Sequence, residues 1–335
     1  MRRREFISLL GGTVAWSLAA RAQQPAKAYR IAAVGAGAPI AEMSETANNP
    51  GWAAFFNELR RLGYVEGSNL IVDRYSGEGR EERYAELCRE VVRTNPNLIV
   101  TVTSQLVLGL KAATNTIPIV GQMGDPVAVG IVDSIARPGG NITGISVEAG
   151  RDIWGKRLQL LREAVPAASK VGFLASNNSW KLLTETYVFR EAAQQLNMSL
   201  VGPPIESPMQ EGEYRRVFEA MAKQHVDGVI VSSQGENVVH RRLIADLVSN
   251  ARLPAVFPYS DDSEIGALIA YGSSLADLSR RLAHYVDQVL KGAPPGELPI
   301  YLASRFDLKI NLTTAKALGI SFPSSLIVRA DEVIE

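Results

Sequence analysis

Two short segments have glycine spacings that are typical of phosphate or nucleotide binding. Residues 150–156 (GRDIWGK) match the spacing of a phosphate-binding loop, but Arg157 stands where that loop needs a serine or threonine to bind magnesium. Residues 35–37 (GAG) follow an apolar run, as in a dinucleotide-binding turn, yet Ile40 occupies the position of the third glycine. These departures favour a helix start and a turn, and the sequence predicts no cofactor.

Residues able to act as a nucleophile, a base or a metal ligand form no recognisable constellation. Residues 144–148 (GISVE) lack the second glycine of a hydrolase nucleophile turn, because Glu148 takes its place. His225, His240 and His284 lie on separate predicted helices beside charged or polar neighbours, which favours solvated positions over metal or base roles. We therefore predict no catalytic residue, no metal site and no enzyme. The rival class, an exported hydrolase or transferase, would need a nucleophile and an oriented base.

A different set of polar residues follows the ends of predicted strands, where open α/β sheets bind their ligands. Hydroxyls and amides dominate this set, and they are suited to holding a small polar ligand through hydrogen bonds. Ser104 and Ser179 have a second interpretation as helix caps. The predicted ligand-binding residues are Ser104, Gln105, Gln122, Asp125, Asn177, Ser233, Gln234, Tyr259 and Asp261, with Tyr271 as an apolar wall.

Apolar runs of strand length alternate with helical patterns in two successive series. The first has strands at 31–34, 70–75, 98–102 and 117–120, and helices at 52–62, 80–94, 105–114 and 127–136. The second has helices at 153–164, 181–196, 211–224 and 238–250, and strands at 170–174, 199–201, 228–232 and 255–257. Buried strands that alternate with helices imply parallel sheets covered on both faces. The sequence therefore predicts an α/β fold of two doubly wound parallel-sheet lobes.

The last part of the chain breaks this order. The strand at 268–271, the helix at 275–290 and the strand at 300–303 come too late for either series to be completed by local pairing. We infer that the chain returns to the first lobe and then crosses back, which makes a hinge of three crossovers. The predicted lobes comprise residues 29–143 plus 273–300, and residues 145–270 plus 303–335.

The N-terminus has the order of an export signal. Arg2, Arg3 and Arg4 precede a short apolar run, and an Ala-x-Ala cleavage pattern ends at Ala22. The arginine cluster resembles a twin-arginine signal, with an ordinary secretion signal as the alternative. We therefore predict a signal peptide at 1–22 and a periplasmic protein. The single cysteine, Cys88, is predicted to be a buried small apolar residue.

Composition excludes several classes of partner. The chain has 335 residues, of which 46% are hydrophobic and 21% charged, as in a folded globular protein. Without residues 1–22, 31 basic and 34 acidic residues remain, so nothing attracts nucleic acid or an anionic membrane. A transcription repressor of this architecture would also need a DNA-binding helix pair at the N-terminus, where the export signal stands. We predict a monomer that binds no nucleic acid.

Several long strings resemble the ABC-transporter substrate-binding family of the tryptophan/tyrosine transport-like type. The likeness covers the mature chain and is most specific at 62–67 (LGYVEG), 124–128 (GDPVA), 136–144 (ARPGGNITG), 271–278 (YGSSLADL), 310–312 (INL) and 330–334 (ADEVI). The resemblance implies the type I periplasmic binding-protein fold, with a ligand closed between two lobes. It also implies the membrane permease of an ABC importer as the partner. A sensor subunit that uses the same closure is the alternative.

Characterised relatives hold an aromatic amino acid by its carboxylate and amino groups, with the side chain in an apolar slot. Here Ser104 and Gln105 replace the usual Thr-Pro, and residues 121–123 (GQM) replace a more apolar segment. We expect a small zwitterionic or carboxylated ligand whose acid group meets Ser104 and the free N–H groups at the start of the helix at 105–114. Tyr259 or Asp261 is expected to meet the amino group.

Overall fold

Two β-sheets flanked by helices make up the computed structural model, which describes residues 28–148, 152–181 and 189–335. The predicted export signal lies outside the described residues. The first sheet has six strands in the order β11-β5-β4-β3-β1-β2, all parallel. Its strands are β1 (Tyr29–Gly35), β2 (Leu70–Ser76), β3 (Leu98–Val102), β4 (Ile119–Met123), β5 (Ile142–Ser146) and β11 (Tyr301–Leu302).

The helices of the first sheet lie on both of its faces. They are α1 (Pro50–Arg61), α2 (Tyr84–Arg93), α3 (Ser104–Ala113) and α10 (Leu275–Leu290). Alternate residues of β1 point to opposite faces: Ile31 packs in a core with α1 and α10, and Ala32 packs in a core with α2 and α3. Helix α10 thus packs beside α1 on the first sheet, although it comes late in the chain.

The second sheet has seven strands in the order β13-β12-β10-β9-β8-β6-β7. They are β6 (Lys170–Leu174), β7 (Ser199–Val201), β8 (Gly228–Val231), β9 (Ala255–Phe257), β10 (Ile269–Gly272), β12 (Asp307–Asn311) and β13 (Glu332–Ile334). The helices around it are α4 (Asp152–Ala164), α5 (Asn177–Lys181), α6 (Phe189–Gln195), α7 (Glu211–Lys223), α8 (Gly235–Val239), α9 (Arg241–Asn250), α11 (Leu312–Leu318) and α12 (Ser324–Arg329). The α/β fold with two such sheets is confirmed.

One strand of the second sheet departs from the parallel arrangement. Strand β12 runs antiparallel to β10, and its Leu308 pairs with Tyr271. The short crossover from β11 delivers the chain to the same edge at which β10 ends, so the chain must run back along β10. Strands β6 to β10 are parallel as predicted. The pair of β12 with β13, for which the sequence predicts no strands, is also parallel.

The chain passes between the two sheets three times. It leaves the first sheet after Ser146, returns after Gly272, and leaves again after Leu302. The last two residues of β5, Ile145 and Ser146, pair with β11. The division into two lobes that move as units stays a prediction.

The predicted helix at 127–136 is wrong, because this segment consists of turns. The Asp125 carboxylate accepts hydrogen bonds from the backbone N–H groups of Val127 and Ala128, as at a helix start. Gly130 then adopts φ +72°, which is left-handed, and Ile131 donates to the Pro126 carbonyl. A helix therefore begins but cannot continue beyond one turn. The predicted helix at 238–250 is also interrupted, since α8 and α9 meet at His240.

Gly144 provides a test of the first sheet. Its φ is +141°, and an added Cβ would lie 2.0 Å from the Gly121 carbonyl oxygen on β4. We expect Gly144→Ala to lower the free energy of unfolding by about 3 kcal/mol, because both the backbone conformation and the close approach of β4 oppose a side chain. Urea denaturation measures the change. The control is Gly212→Ala, where an added Cβ meets nothing within 4 Å on helix α7; equal stability of both variants would contradict the prediction.

Candidate functional site

A cavity lies between the carboxyl edges of the two sheets. Its volume is about 110 Å³. The loops after β1, β3, β4 and β5 line it from the first sheet, and the loop after β8 together with Tyr259 lines it from the second. Helices α1 and α10 close one end. Open α/β sheets bind their ligands at the carboxyl ends of the strands, so a ligand is expected in this cavity.

The start of helix α3 forms part of the polar end of this cavity. Thr103 caps the helix with its side chain, which accepts from the Leu106 N–H at 3.4 Å. The N–H groups of Ser104 and Gln105 have no hydrogen-bond acceptor among the described residues. Such groups at a helix N-terminus carry a partial positive charge and favour a ligand carboxylate.

Thr103 holds this helix start in a strained backbone conformation. Its φ of +84° with ψ 140° is a region that β-branched residues rarely adopt. The Thr103 N–H donates to the Gln122 carbonyl at 2.9 Å, and the Ser104 hydroxyl accepts from the Gly124 N–H at 3.1 Å. These bonds join α3 to the end of β4. The strain is therefore maintained by a fixed hydrogen-bond pattern at the cavity.

Glu148 places a buried carboxylate in the cavity wall. Only 7% of the residue is exposed, and its Oε1 accepts a hydrogen bond of 3.0 Å from the Ser233 hydroxyl. Burial raises the pKa of Glu148, while the nearby charge of Arg157 and the Ser233 hydrogen bond oppose that rise. A cationic group of a ligand would find its counter-ion here. Among the cavity-lining residues that the structure describes, none is a lysine, arginine or histidine.

The other end of the cavity is apolar. Trp52 and Phe55 of α1 face it together with Leu282 of α10, and Val238 and Val239 of α8 approach it from the second sheet. Trp52 and Phe55 are almost fully buried and meet edge to face, with ring centroids 5.8 Å apart. Asn49 caps α1 and so fixes where Trp52 points, because its side chain accepts from the Gly51 and Trp52 N–H groups. A ligand with one charged end and one apolar end fits this arrangement.

Most of the predicted site residues lie at the cavity. Those that line it are Ser104, Gln105, Gln122, Asp125, Ser233, Gln234 and Tyr259. The side-chain amides of Gln105 and Gln122 have no protein partner among the described residues. The Gln234 amide is already occupied, since its Oε1 accepts from the Ser176 N–H at 2.8 Å. The Tyr259 hydroxyl donates to the Ser233 carbonyl at 2.8 Å.

Three predicted residues lie outside the cavity. Asn177 is exposed at the start of α5, and its N–H donates to the Ile205 carbonyl. The Asp261 carboxylate accepts from the Ser274 hydroxyl and the Ala276 N–H, so it caps helix α10. Tyr271 contacts Phe306 on the second sheet, with ring centroids 6.3 Å apart. Asn177 and Asp261 follow strand ends as expected, but neighbouring elements of the fold use their polar groups, and Tyr271 lies within β10 with its ring beside Phe306.

Glu148, Thr103 and the apolar residues of α1 and α10 are the cavity residues that sequence reasoning missed. Glu148 follows the end of β5, a strand that was not predicted from the sequence, so the strand-end rule did not reach it. No local signal indicates that α10 closes the cavity, because the helix reaches the first sheet through a distant crossover. The contribution of Trp52 and Leu282 to the cavity can therefore be recognised only from the tertiary structure.

The elements around the two sheets also contact one another outside the cavity. The Tyr84 hydroxyl on α2 donates to Glu236 Oε1 on α8 at 2.5 Å, and both residues are buried. Gly79 and Met209 share a backbone hydrogen bond of 2.9 Å. Two further side-chain hydrogen bonds join Asn178 to Glu81 and Ser207 to Glu82. This set of contacts brings the two sides together away from the cavity itself.

The cysteine and the histidines have structural positions. Cys88 is fully buried, which confirms its predicted apolar role, and burial raises its pKa to about 11. His240 is half-buried against Tyr214, with its Nε2 3.1 Å from the Met209 carbonyl, so the solvated position predicted for it is wrong. His284 pairs with Glu58 at 2.8 Å, and His225 is exposed. No group of three or more His, Cys, Asp or Glu residues in the described part of the chain is arranged to hold a metal ion.

Comparison with known proteins gives the family. The profile described as "ABC transporter substrate binding protein" matches residues 44–334. The chain belongs to this family. Within residues 28–148, 152–181 and 189–335 of this substrate-binding protein, no helix has the length and apolar character needed to cross a membrane.

Individual relatives agree with the family assignment. A curated tyrosine-binding protein of Clostridioides difficile is 22% identical over 282 residues, which cover 83% of this chain and 80% of that protein. The crystal structure of an ABC domain from Streptococcus pneumoniae in complex with L-Trp has a TM-score of 0.74 at 21% identity and covers 92% of this chain and 100% of that one. A conserved domain protein of Vibrio cholerae has a TM-score of 0.77 at 23% identity, with the same coverage. These structures have the same fold as this substrate-binding protein.

Proposed function

We propose that this protein is the periplasmic component of an ABC importer and binds an amino acid with a large apolar or aromatic side chain. The observation that carries the proposal is the cavity's division into a polar and an apolar end. Free N–H groups at the start of α3 suit the ligand carboxylate, and Glu148 suits its ammonium group. Trp52, Phe55 and Leu282 provide an apolar surface for the side chain. The relatives named for tyrosine and bound to L-Trp support this ligand class.

The mechanism we propose is closure of two lobes on the ligand. A ligand between the sheets contacts α3 on one side and Ser233 and Tyr259 on the other, so it stabilises the arrangement in which the sheets meet. The three crossovers after Ser146, Gly272 and Leu302 would act as the hinge. The permease of the importer would then recognise the closed form. We propose that the protein acts as a monomer and binds no nucleic acid.

A thermal-shift screen of the protein without residues 1–22 tests the proposed ligand class. A ligand that binds only the folded protein raises its melting temperature, by mass action. We expect L-tyrosine, L-tryptophan or L-phenylalanine to raise it, and we expect sugars, nucleosides and acidic amino acids to leave it unchanged. Titration calorimetry then gives the affinity. A response to sugars alone would exclude the proposed ligand class and leave the family assignment intact.

Ser104→Ala tests the proposed carboxylate position. The substitution removes a hydroxyl at the start of α3 and the bond that holds the Gly124 N–H. We expect the affinity for the responding amino acid to fall by one to two decades, because a charge-assisted hydrogen bond contributes about 1.5 to 3 kcal/mol. Calorimetry measures the loss. Ser199→Ala is the control, since the Ser199 hydroxyl donates to the Ser169 carbonyl at the edge of the second sheet. Wild-type affinity in Ser104→Ala would place the carboxylate elsewhere.

A further inference from the structure

A buried acid in the cavity wall, Glu148, and a buried base behind it, Arg157, carry opposite charges, and the proposed function uses only the acid. Arg157 of α4 is 1% exposed, and its guanidinium donates to the Tyr271 carbonyl at 3.2 Å and to the Pro258 carbonyl at 2.9 Å. It also stacks on Trp154, with its Cζ 4.7 Å from the ring centroid. Burial lowers the pKa of Arg157 to about 10, so the group stays cationic at neutral pH.

Glu148 is the acid with the largest effect on Arg157, and Arg157 does not line the cavity. The two side chains form no direct ion pair, and Trp154 borders both of them. One guanidinium nitrogen, Arg157 Nη1, and the Trp154 indole nitrogen are buried without a well-aligned hydrogen-bond partner. The indole N–H is nevertheless close enough to Glu148 to oppose the rise in its pKa. The Trp154 indole N–H therefore lies beside Glu148, and Arg157 keeps one buried N–H group without a hydrogen-bond partner.

This arrangement makes the net charge of the cavity wall depend on Glu148. With Glu148 ionised, its charge balances that of Arg157, and a zwitterionic ligand adds no net charge to the buried site. A carboxylate ligand that lacks an ammonium group would add an uncompensated negative charge beside Glu148. Burying an unpaired charge is costly, because little water remains to solvate it. Asp125 lines the same cavity and acts on Glu148, so it adds to the repulsion that an anionic ligand meets.

We infer that the Glu148 and Arg157 pair selects the net charge of the ligand, and that removing the charge of Glu148 converts the site from zwitterion to anion binding. This inference rests on the proposed amino acid ligand. Glu148 would contact the ligand ammonium group, while Arg157 acts through Glu148 as a positioning and charge-balancing residue. Without the carboxylate, Arg157 loses the acid that acts on it most strongly and the cavity loses a negative charge, so an anionic ligand meets less repulsion there.

The experiment compares the binding of an amino acid with that of the corresponding α-hydroxy acid, in which a hydroxyl replaces the amino group. Both are measured in wild type and in Glu148→Gln. The probes are L-tyrosine with 3-(4-hydroxyphenyl)lactate, and L-tryptophan with indole-3-lactate, all measured by titration calorimetry. We expect Glu148→Gln to lower the affinity for the amino acid roughly ten- to hundredfold and to raise that for the hydroxy acid at least about tenfold. Glu58→Gln is the control. It removes another buried carboxylate, which pairs with Arg61 and His284 outside the cavity, and it should keep the wild-type preference.

The wild-type protein provides a second measurement that needs no substitution. Glu148 must be ionised to meet an ammonium group, so the affinity for the amino acid should fall as the pH drops from about 8 to about 5. The affinity for the hydroxy acid should rise over the same range. The other charged or titratable groups that act on Glu148 are Arg157 and Asp125, and Tyr259 is the nearby phenol, whose burial raises its pKa. Arg157 and Tyr259 keep their protonation states in this range.

The outcomes separate this inference from the proposed function. If wild type binds an amino acid but Glu148→Gln weakens binding of both probes in parallel, the charge-selection inference is wrong and the ligand class stands. Parallel pH dependence of the two probes would also contradict charge selection while leaving the ligand class intact. If wild type binds neither amino acid, the proposed ligand class is wrong and the inference fails with it.

Discussion

Gly235→Leu should abolish most ligand binding while leaving the folded protein stable. Gly235 begins helix α8 at the mouth of the cavity, and a Cβ added there would lie 2.9 Å from the Thr103 methyl group and 3.5 Å from the Ala36 methyl group. Both of these neighbours belong to the first sheet. A leucine therefore fits only if the sheets move apart, and the strain would oppose the closed arrangement alone.

The size of the effect follows from the cost of overpacking. Forcing extra methyl and methylene groups into a packed contact costs about 1 to 3 kcal/mol, which corresponds to a loss of roughly ten- to hundredfold in affinity. Titration calorimetry with the responding amino acid measures this loss, and small-angle scattering should show that the variant no longer becomes more compact when that amino acid is added. The melting temperature without ligand should change little.

Gly212→Leu is the matched control for this experiment. An added Cβ at Gly212 meets nothing within 4 Å, and the residue lies on α7 away from the cavity. Leucine also has a higher helix propensity than glycine, so the control should bind normally and unfold at the same or a higher temperature. Unchanged affinity in Gly235→Leu would mean that the ligand binds without closure of the two sides, which would contradict the proposed mechanism.

Most of the alternation of strands and helices could be predicted because an apolar buried strand leaves a direct mark in the sequence. Strand β5 is fully buried too, but Thr143 and Gly144 interrupt its apolar run and it was not predicted. Residues such as Ile31 and Ile99 lie in continuous apolar runs, which are typical of parallel strands covered on both faces. The antiparallel orientation of β12 could not be predicted from the sequence in this way. Its direction depends on where the last crossover delivers the chain, and periodicity reports burial but not direction.

The site could be predicted only as far as the strand-end rule reaches. That rule led to Ser104 and Ser233, which line the cavity, and equally to Asp261, which caps α10 instead. Residues that follow strand ends separate in this way because helix starts compete with ligands for the same oxygen atoms. The rule gives no information on the apolar end, where Trp52 and Leu282 meet although 230 positions separate them in the chain.

The contact between Tyr84 and Glu236 should contribute to closure without touching the ligand. The Tyr84 hydroxyl joins α2 to α8, and neither residue lines the cavity. Burial raises the pKa of Glu236, and the hydrogen bond from Tyr84 is the largest effect that opposes this rise. When the sheets separate, water can solvate the carboxylate. Tyr84→Phe therefore penalises the closed form specifically, since it leaves a buried carboxylate without its donor.

We expect Tyr84→Phe to weaken binding of the responding amino acid roughly tenfold or more, because a hydrogen bond to a charged group contributes about 1.5 to 3 kcal/mol. The ratio of wild-type to variant affinity should shrink as the pH falls, since a protonated Glu236 is less costly to bury and closure of the variant takes up that proton. Calorimetry at several pH values measures this ratio. Tyr75→Phe is the control, because the Tyr75 hydroxyl lies 3.5 Å from the Thr94 hydroxyl and both belong to the first-sheet side. A ratio near one at every pH would show that the contact contributes nothing to closure, whereas a constant loss at every pH would assign the effect to packing and not to the charge of Glu236.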